Sequence, residues 1–151
     1  MVTKERFAQG MTVQQYLDQM GTNKDTFVKF LGEIKVNSED KKALESLGKK
    51  LKCVIITEDW CGDALYNVPV LLKLIEGNPN IETRVFLRDK NPDLMDQYLN
   101  KGMFRSIPVF AFFDRLNFRY MISDNISQFF CRRSIRYIPF EPIVRIFHIL
   151  N

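Results

Sequence analysis

The sequence predicts an α/β domain, a sheet flanked by helices with an N-terminal helical extension, and three observations carry that prediction. Two apolar runs of strand length, Lys52 to Thr57 and Ile81 to Leu87, bracket a helix-patterned stretch from about Cys61 to Glu76. Strands so spaced pair in parallel through a right-handed crossover. A third apolar run, Val109 to Phe113, has the composition of a buried strand, and the first fifty residues place polar caps ahead of apolar-periodic segments.

Taken in order, Met1 to Arg6 leads into a polar helix. Thr12 then precedes Val13-Gln14-Gln15-Tyr16-Leu17, Thr22 or Asn23 precedes Phe27 to Leu31, and Asn37 or Ser38 precedes Ala43 to Leu47. Thr12 with Gln15 three residues on has the form of a capping box, in which side chain and backbone satisfy each other's unpaired groups. Gly21, Gly32 and Gly48 fall where three short helices are expected to stop. Beyond the second strand, Pro92 to Asn100 is patterned as a helix. Gly77-Asn78-Pro79-Asn80 and Gly102 supply turn chemistry. Leu116 to Ile122 fits a further strand, and Ser123 or Asp124 a cap for a short helix through Phe130. No internal repeat or low-complexity linker interrupts the chain.

Composition narrows the function classes. A chain of 151 residues is expected to be one domain with a core that needs no disulfide or metal. No apolar run is long enough to span a membrane and no signal peptide opens the sequence, so the expectation is a soluble cytoplasmic protein without a membrane partner. Three cysteines, an odd count at uneven spacing, suit a reducing compartment better than a disulfide framework. The net charge of +4 is local: residues 1–114 hold 12 Lys, 4 Arg and 16 acidic residues, whereas residues 115–151 hold 6 Arg and only Asp124 and Glu141. A neutral body with a short arginine-bearing tail is a weak footprint for nucleic acid, and none is expected as a partner. His148 is the only histidine, so neither a Cys-His pair nor a metal site is expected, and no cofactor is implied.

The chemistry-bearing stretch is Glu58-Asp59-Trp60-Cys61-Gly62-Asp63-Ala64, which follows Cys53-Val54-Ile55-Ile56 and precedes Asn67-Val68-Pro69-Val70-Leu71-Leu72. Eight residues after Cys61 stands Pro69, and Ile107-Pro108-Val109-Phe110 opens the third strand. With these three features in register, residues 50–114 resemble the thioredoxin-like superfamily. More narrowly, they are similar to bacterial members of uncertain function with a Trp-Cys-Gly-Asp motif. The resemblance implies a thioredoxin-like fold whose third strand runs antiparallel to the other two, making the sheet mixed. It also implies a cis Pro108 that presents the backbone of Ile107 to an extended substrate beside Cys61. A turn proline that merely opens a strand is the plainer alternative for Pro108.

Cys61 is the candidate nucleophile, placed at a helix N-terminus where backbone N–H groups and the helix dipole favour a thiolate. Asp63 brings an opposing negative charge, although a carboxylate in the first turn also suits the dipole. Ala64 stands where the resemblance expects a second cysteine to release the substrate. Ile55 stands where it expects a buried carboxylate. Cys61 is therefore expected to form a mixed disulfide with an unknown thiol or disulfide protein, or with a low-molecular-weight thiol, and to need an outside thiol for resolution. The competing reading is a non-catalytic module that binds a peptide at Trp60, Ile107 and Pro108, with Gly62, Asp63 and Ala64 flanking the site. Trp60 equally fits a shield beside the site. Cys53 is expected to be a buried, inert core residue, and Cys131 a resolving thiol only if the fold brings it to Cys61.

Three segments follow: residues 1–50, a helical segment packed on the domain; 51–122, the thioredoxin-like core; and 123–151, a divergent tail. Residues 115–151 contain no Gly, Ala or Lys, but seven Ile and six Arg. Loss of three common residue types just where the resemblance ends fits a frameshift near residue 115, and a divergent natural C-terminus fits equally.

Overall fold

In a computed structural model, residues 2–46, 48, 50–113 and 119–122 are described. The predicted cap and helix at Ser123 to Phe130, together with Cys131 and His148, lie outside them.

Four helices open the chain: α1 (Lys4–Ala8), α2 (Val13–Gln19), α3 (Lys24–Glu33) and α4 (Ser38–Ser46). The capping box of α2 forms in full, with Gln15 N–H donating to Thr12 Oγ1 at 3.2 Å and Thr12 N–H to Gln15 Oε1 at 2.8 Å. Thr3 accepts from Arg6 N–H at 3.1 Å and starts α1, a single turn where the sequence leads into a polar helix. One N-terminal expectation needs correction. Gly32 lies inside α3 and does not end it; the helix stops where Ile34 turns extended.

The α/β part follows as β1 (Leu51–Thr57), α5 (Gly62–Ile75), β2 (Ile81–Leu87), α6 (Pro92–Met95) with a 3₁₀ turn at Asp96–Tyr98, then β3 (Val109–Phe113) and β4 (Arg119–Ile122). Sheet order is β2-β1-β3-β4. β1 pairs in parallel with β2 and antiparallel with β3, and β4 pairs antiparallel with β3. The sheet is thus mixed and flanked by helices, as expected. The predicted helix from Pro92 to Asn100 is the element that differs. Its second half tightens to 3₁₀ geometry and Leu99 is extended, because the three-residue repeat turns Met95 and Tyr98 to one side, where both are buried.

Alternation along the central strands divides the core into two layers. Cys53, Ile55, Phe110 and Phe112 point to the layer that holds Tyr16, Phe27, Val68, Leu71 and Leu74 from α2, α3 and α5. Val54, Ile56, Val109, Ala111 and Phe113 point to the other, against Phe7, Leu94, Met95 and Tyr98. A strand covered on both faces must be apolar at nearly every position, which is why Cys53-Val54-Ile55-Ile56 shows no polar alternation. Helix α5 is buried along most of its length, Pro69 included. Pro69 has no N–H to give Leu65 O.

Candidate active site

β1 delivers the chain at Thr57 to a four-residue loop, and α5 begins at Gly62. Cys61 caps that helix with an extended backbone; its N–H donates to Glu58 O at 3.3 Å and its carbonyl accepts from Leu65 N–H at 3.0 Å. Antiparallel pairing sets Val109 opposite Ile56, so the residues just before β3 lie beside the loop just after β1. The Ile107-Pro108 peptide is cis. Cys61 Sγ–H donates to Ile107 O at 3.7 Å, with the thiol half-buried. Topology alone thus brings together two segments 46 residues apart in sequence.

The neighbouring side chains divide into buried and open. Ala64 is 1% exposed and faces the core, so the position one turn after Cys61 carries only a packed methyl group. Ile55 is fully buried, and no carboxylate takes its place on β1. Gly62 and Asp63 are exposed in the first turn, and a Cβ on Gly62 would meet no atom within 4 Å. Trp60 is 47% exposed, with the Arg88 guanidinium 4.8 Å from its ring, a cation–π contact covering one face. Arg88 also lines a cleft of about 490 Å³ with Asp89, Pro92, Phe104, Arg105 and Ser106. Ser106 adjoins Ile107, so this cleft reaches the edge of the Cys61 site.

Several groups at the site carry no motif in the sequence. Glu58 is 7% exposed and accepts from Asp89 N–H at 2.8 Å. Burial pushes its carboxyl above the ordinary carboxylate range, and that hydrogen bond opposes the shift. Tyr16 is fully buried in the layer facing Cys61. Burial pushes its hydroxyl up to about 12, against the opposing effect of Thr57, so at neutral pH it remains a protonated phenol. Asp59 accepts from the backbone of the α2–α3 loop, at Gly21 N–H (2.8 Å) and Thr22 N–H (3.0 Å). The one available signal was the acidic pair ahead of Trp60, and its partners lie more than thirty residues away in sequence.

Cys53 is not part of the site. It lies fully buried on β1, and burial pushes its thiol well above the usual range. Both Cys53 and Cys61 are free thiols. Among the described residues, no cluster of three metal-ligating side chains occurs, and no helix is long and apolar enough to cross a membrane.

The sequence profile of a family described as thioredoxin matches residues 10–123. No curated protein matches the chain. Among solved structures, the fold is similar to that of a protein of unknown function from Pseudomonas aeruginosa, at 19% identity and a TM-score of 0.66, over 80% of this chain and 76% of that one. It is also similar to the crystal structure of an HIV epitope scaffold, at 15% identity and a TM-score of 0.72, over 99% of this chain and 91% of that one. At these identities the likeness to both structures is one of fold alone.

Proposed function

This chain belongs to the thioredoxin family, and from that premise we propose that it carries out thiol redox or mixed-disulfide chemistry through a single active-site thiol, that of Cys61. The observation supporting this reading is the half-buried Cys61 thiol, 3.7 Å from Ile107 O beside the cis Pro108, with alanine at position 64. The Cys61 thiolate attacks one sulfur of a disulfide. A new S–S bond forms to Cys61, the old one breaks, and the departing thiolate takes a proton from solvent. Ala64 has no thiol to attack the resulting mixed disulfide, so a second, external thiol completes the exchange. Gly62 and Asp63 flank the nucleophile, while Trp60, Ile107 and Pro108 supply the surface against which the partner lies. The partner is a thiol or disulfide protein or a low-molecular-weight thiol. Free cysteines suit a reducing, cytoplasmic setting.

Incubation with a small disulfide such as oxidised glutathione, followed by intact mass measurement, tests the proposal. A single adduct on Cys61 is expected, removed by a reducing thiol and absent from Cys61→Ser. A wild-type chain that gains no adduct overturns it. Trp60, 47% exposed and one residue before the thiol that meets Ile107 O, favours a second reading, a peptide-binding module. That reading predicts peptide binding that survives Cys61→Ser unchanged.

A further inference from the structure

We propose that Asp59 is a positioning residue, through which the N-terminal helices hold the Cys61 loop against Pro108. The inference rests on Cys61 being the reacting group. Three hydrogen bonds join the α2–α3 loop to this one residue: Gly21 N–H and Thr22 N–H donate to Asp59 Oδ2 at 2.8 and 3.0 Å, and Asn23 Nδ2 donates to Asp59 O at 2.9 Å. Asn23 stands at the N-cap of α3 yet gives that helix no side-chain cap. Its amide is committed to the Cys61 loop instead, and its backbone takes the left-handed conformation at φ 59°.

What the loop is tied to is itself fixed. Behind Asn23, α3 buries Phe27 against Tyr16, with ring centroids 6.1 Å apart. Phe30 of α3 meets Tyr66 of α5 edge-on at 5.4 Å. The helix that Cys61 caps and the loop that leads into it are thus anchored to the same N-terminal unit. Trp60 alone separates Asp59 from the thiol. Hydrogen bonds from backbone N–H groups to a carboxylate are among the stronger ones in proteins, and losing both releases the loop. A loop that samples other positions spends less time with Sγ at Ile107.

One oxygen accepts both N–H groups, and this separates geometry from charge. The amide oxygen of Asp59→Asn can take the same two bonds with no charge, whereas Asp59→Ala can take neither. In full-length protein carrying Cys131→Ser, the rate of Cys61 with an aromatic disulfide probe is measured beside amide exchange at Gly21 and Thr22. Asp59→Ala is expected to react about tenfold more slowly, roughly the factor carried by one hydrogen bond to a charged group, and to lose protection at both amides. Asp59→Asn is expected to restore both readouts. A reactive thiol indifferent to Asp59→Ala overturns the positioning role alone, as does an Asp59→Asn variant that behaves like Asp59→Ala. A wild-type Cys61 that does not react with the probe overturns the nucleophile reading and the positioning role with it.

Discussion

Glu58 shows how one residue at the mouth of the site carries a cost that its position imposes. Its carboxyl is buried at the end of β1, with Asp89 N–H as the donor that compensates. Burial outweighs that bond and raises the carboxyl above its ordinary value of 4.5. In the unfolded chain the group ionises first, so rising pH favours the unfolded state between the ordinary and the raised value. Stability from this residue is therefore fully present below about pH 4.5 and falls as pH rises through the folded-state value. Gln at position 58 keeps an oxygen for Asp89 N–H but never ionises. Glu58→Gln is expected to melt at a higher temperature than wild type at pH 7, with the difference closing as pH falls below 4.5. A difference that grows toward acid pH contradicts this account.

At the scale of elements, the N-terminal segment pairs with the edge of β2 at Met11, and that crossing needs a glycine. Met11 exchanges two hydrogen bonds with Val85 of β2, each 2.9 Å. A Cβ on the preceding Gly10 would lie 2.6 Å from the Phe86 ring and 2.7 Å from Arg84 Cβ. Arg84 Cβ is fixed to the strand and Phe86 is 2% exposed, so neither can yield. Replacing glycine with alanine gains about 0.4–1 kcal/mol from the unfolded chain, whereas forcing a methyl group into packed atoms costs about 1–3 kcal/mol. Overpacking wins, and Gly10→Ala is expected to lower the free energy of urea unfolding by roughly 1–2 kcal/mol. An unchanged midpoint means that the segment moves aside freely. The sequence carried no sign of this crossing, since no periodicity or turn pattern marks Gly10. It did carry β2 and β3, whose bounds Ile81–Leu87 and Val109–Phe113 match the structure, because Asn78-Pro79 and Pro108 punctuate them and their apolar runs have strand length. Cys61 at a helix start and a cis Pro108 ahead of β3 were legible chiefly through the thioredoxin-like resemblance, and the structure has both there. The bonds of Asp59, by contrast, join segments too distant in sequence for any local pattern to show them.

On the scale of the whole molecule, the N-terminal helices contribute to both core layers. Phe7 of α1 packs beneath the sheet with Leu94 and Met95, while Tyr16, Phe27 and Leu44 pack on the opposite face. Arg6 extends the first attachment by pairing with Asp93 at 2.9 Å and bonding Asn91 at 2.8 Å. An exposed ion pair of this kind is worth less than about 1 kcal/mol, so the buried aromatic rings are what hold the segment. Phe and Tyr bury roughly 150–250 Å² each, and at about 25 cal/mol per Å² of apolar surface each ring stabilises its layer by several kcal/mol. Against that, helices of five to ten residues are too short to persist alone in water. The segment should therefore fold only with the sheet, as one unit. Trp60, the single tryptophan, reports on the junction, since Asp59 ties its loop to the α2–α3 turn and Arg88 covers its ring. Urea unfolding followed by Trp60 fluorescence and by far-ultraviolet circular dichroism should give one coincident transition, the mark of two-state behaviour. If the helical signal falls at lower urea than the fluorescence, the N-terminal segment melts as a separate unit, and the sheet with its Cys61 site stands without it.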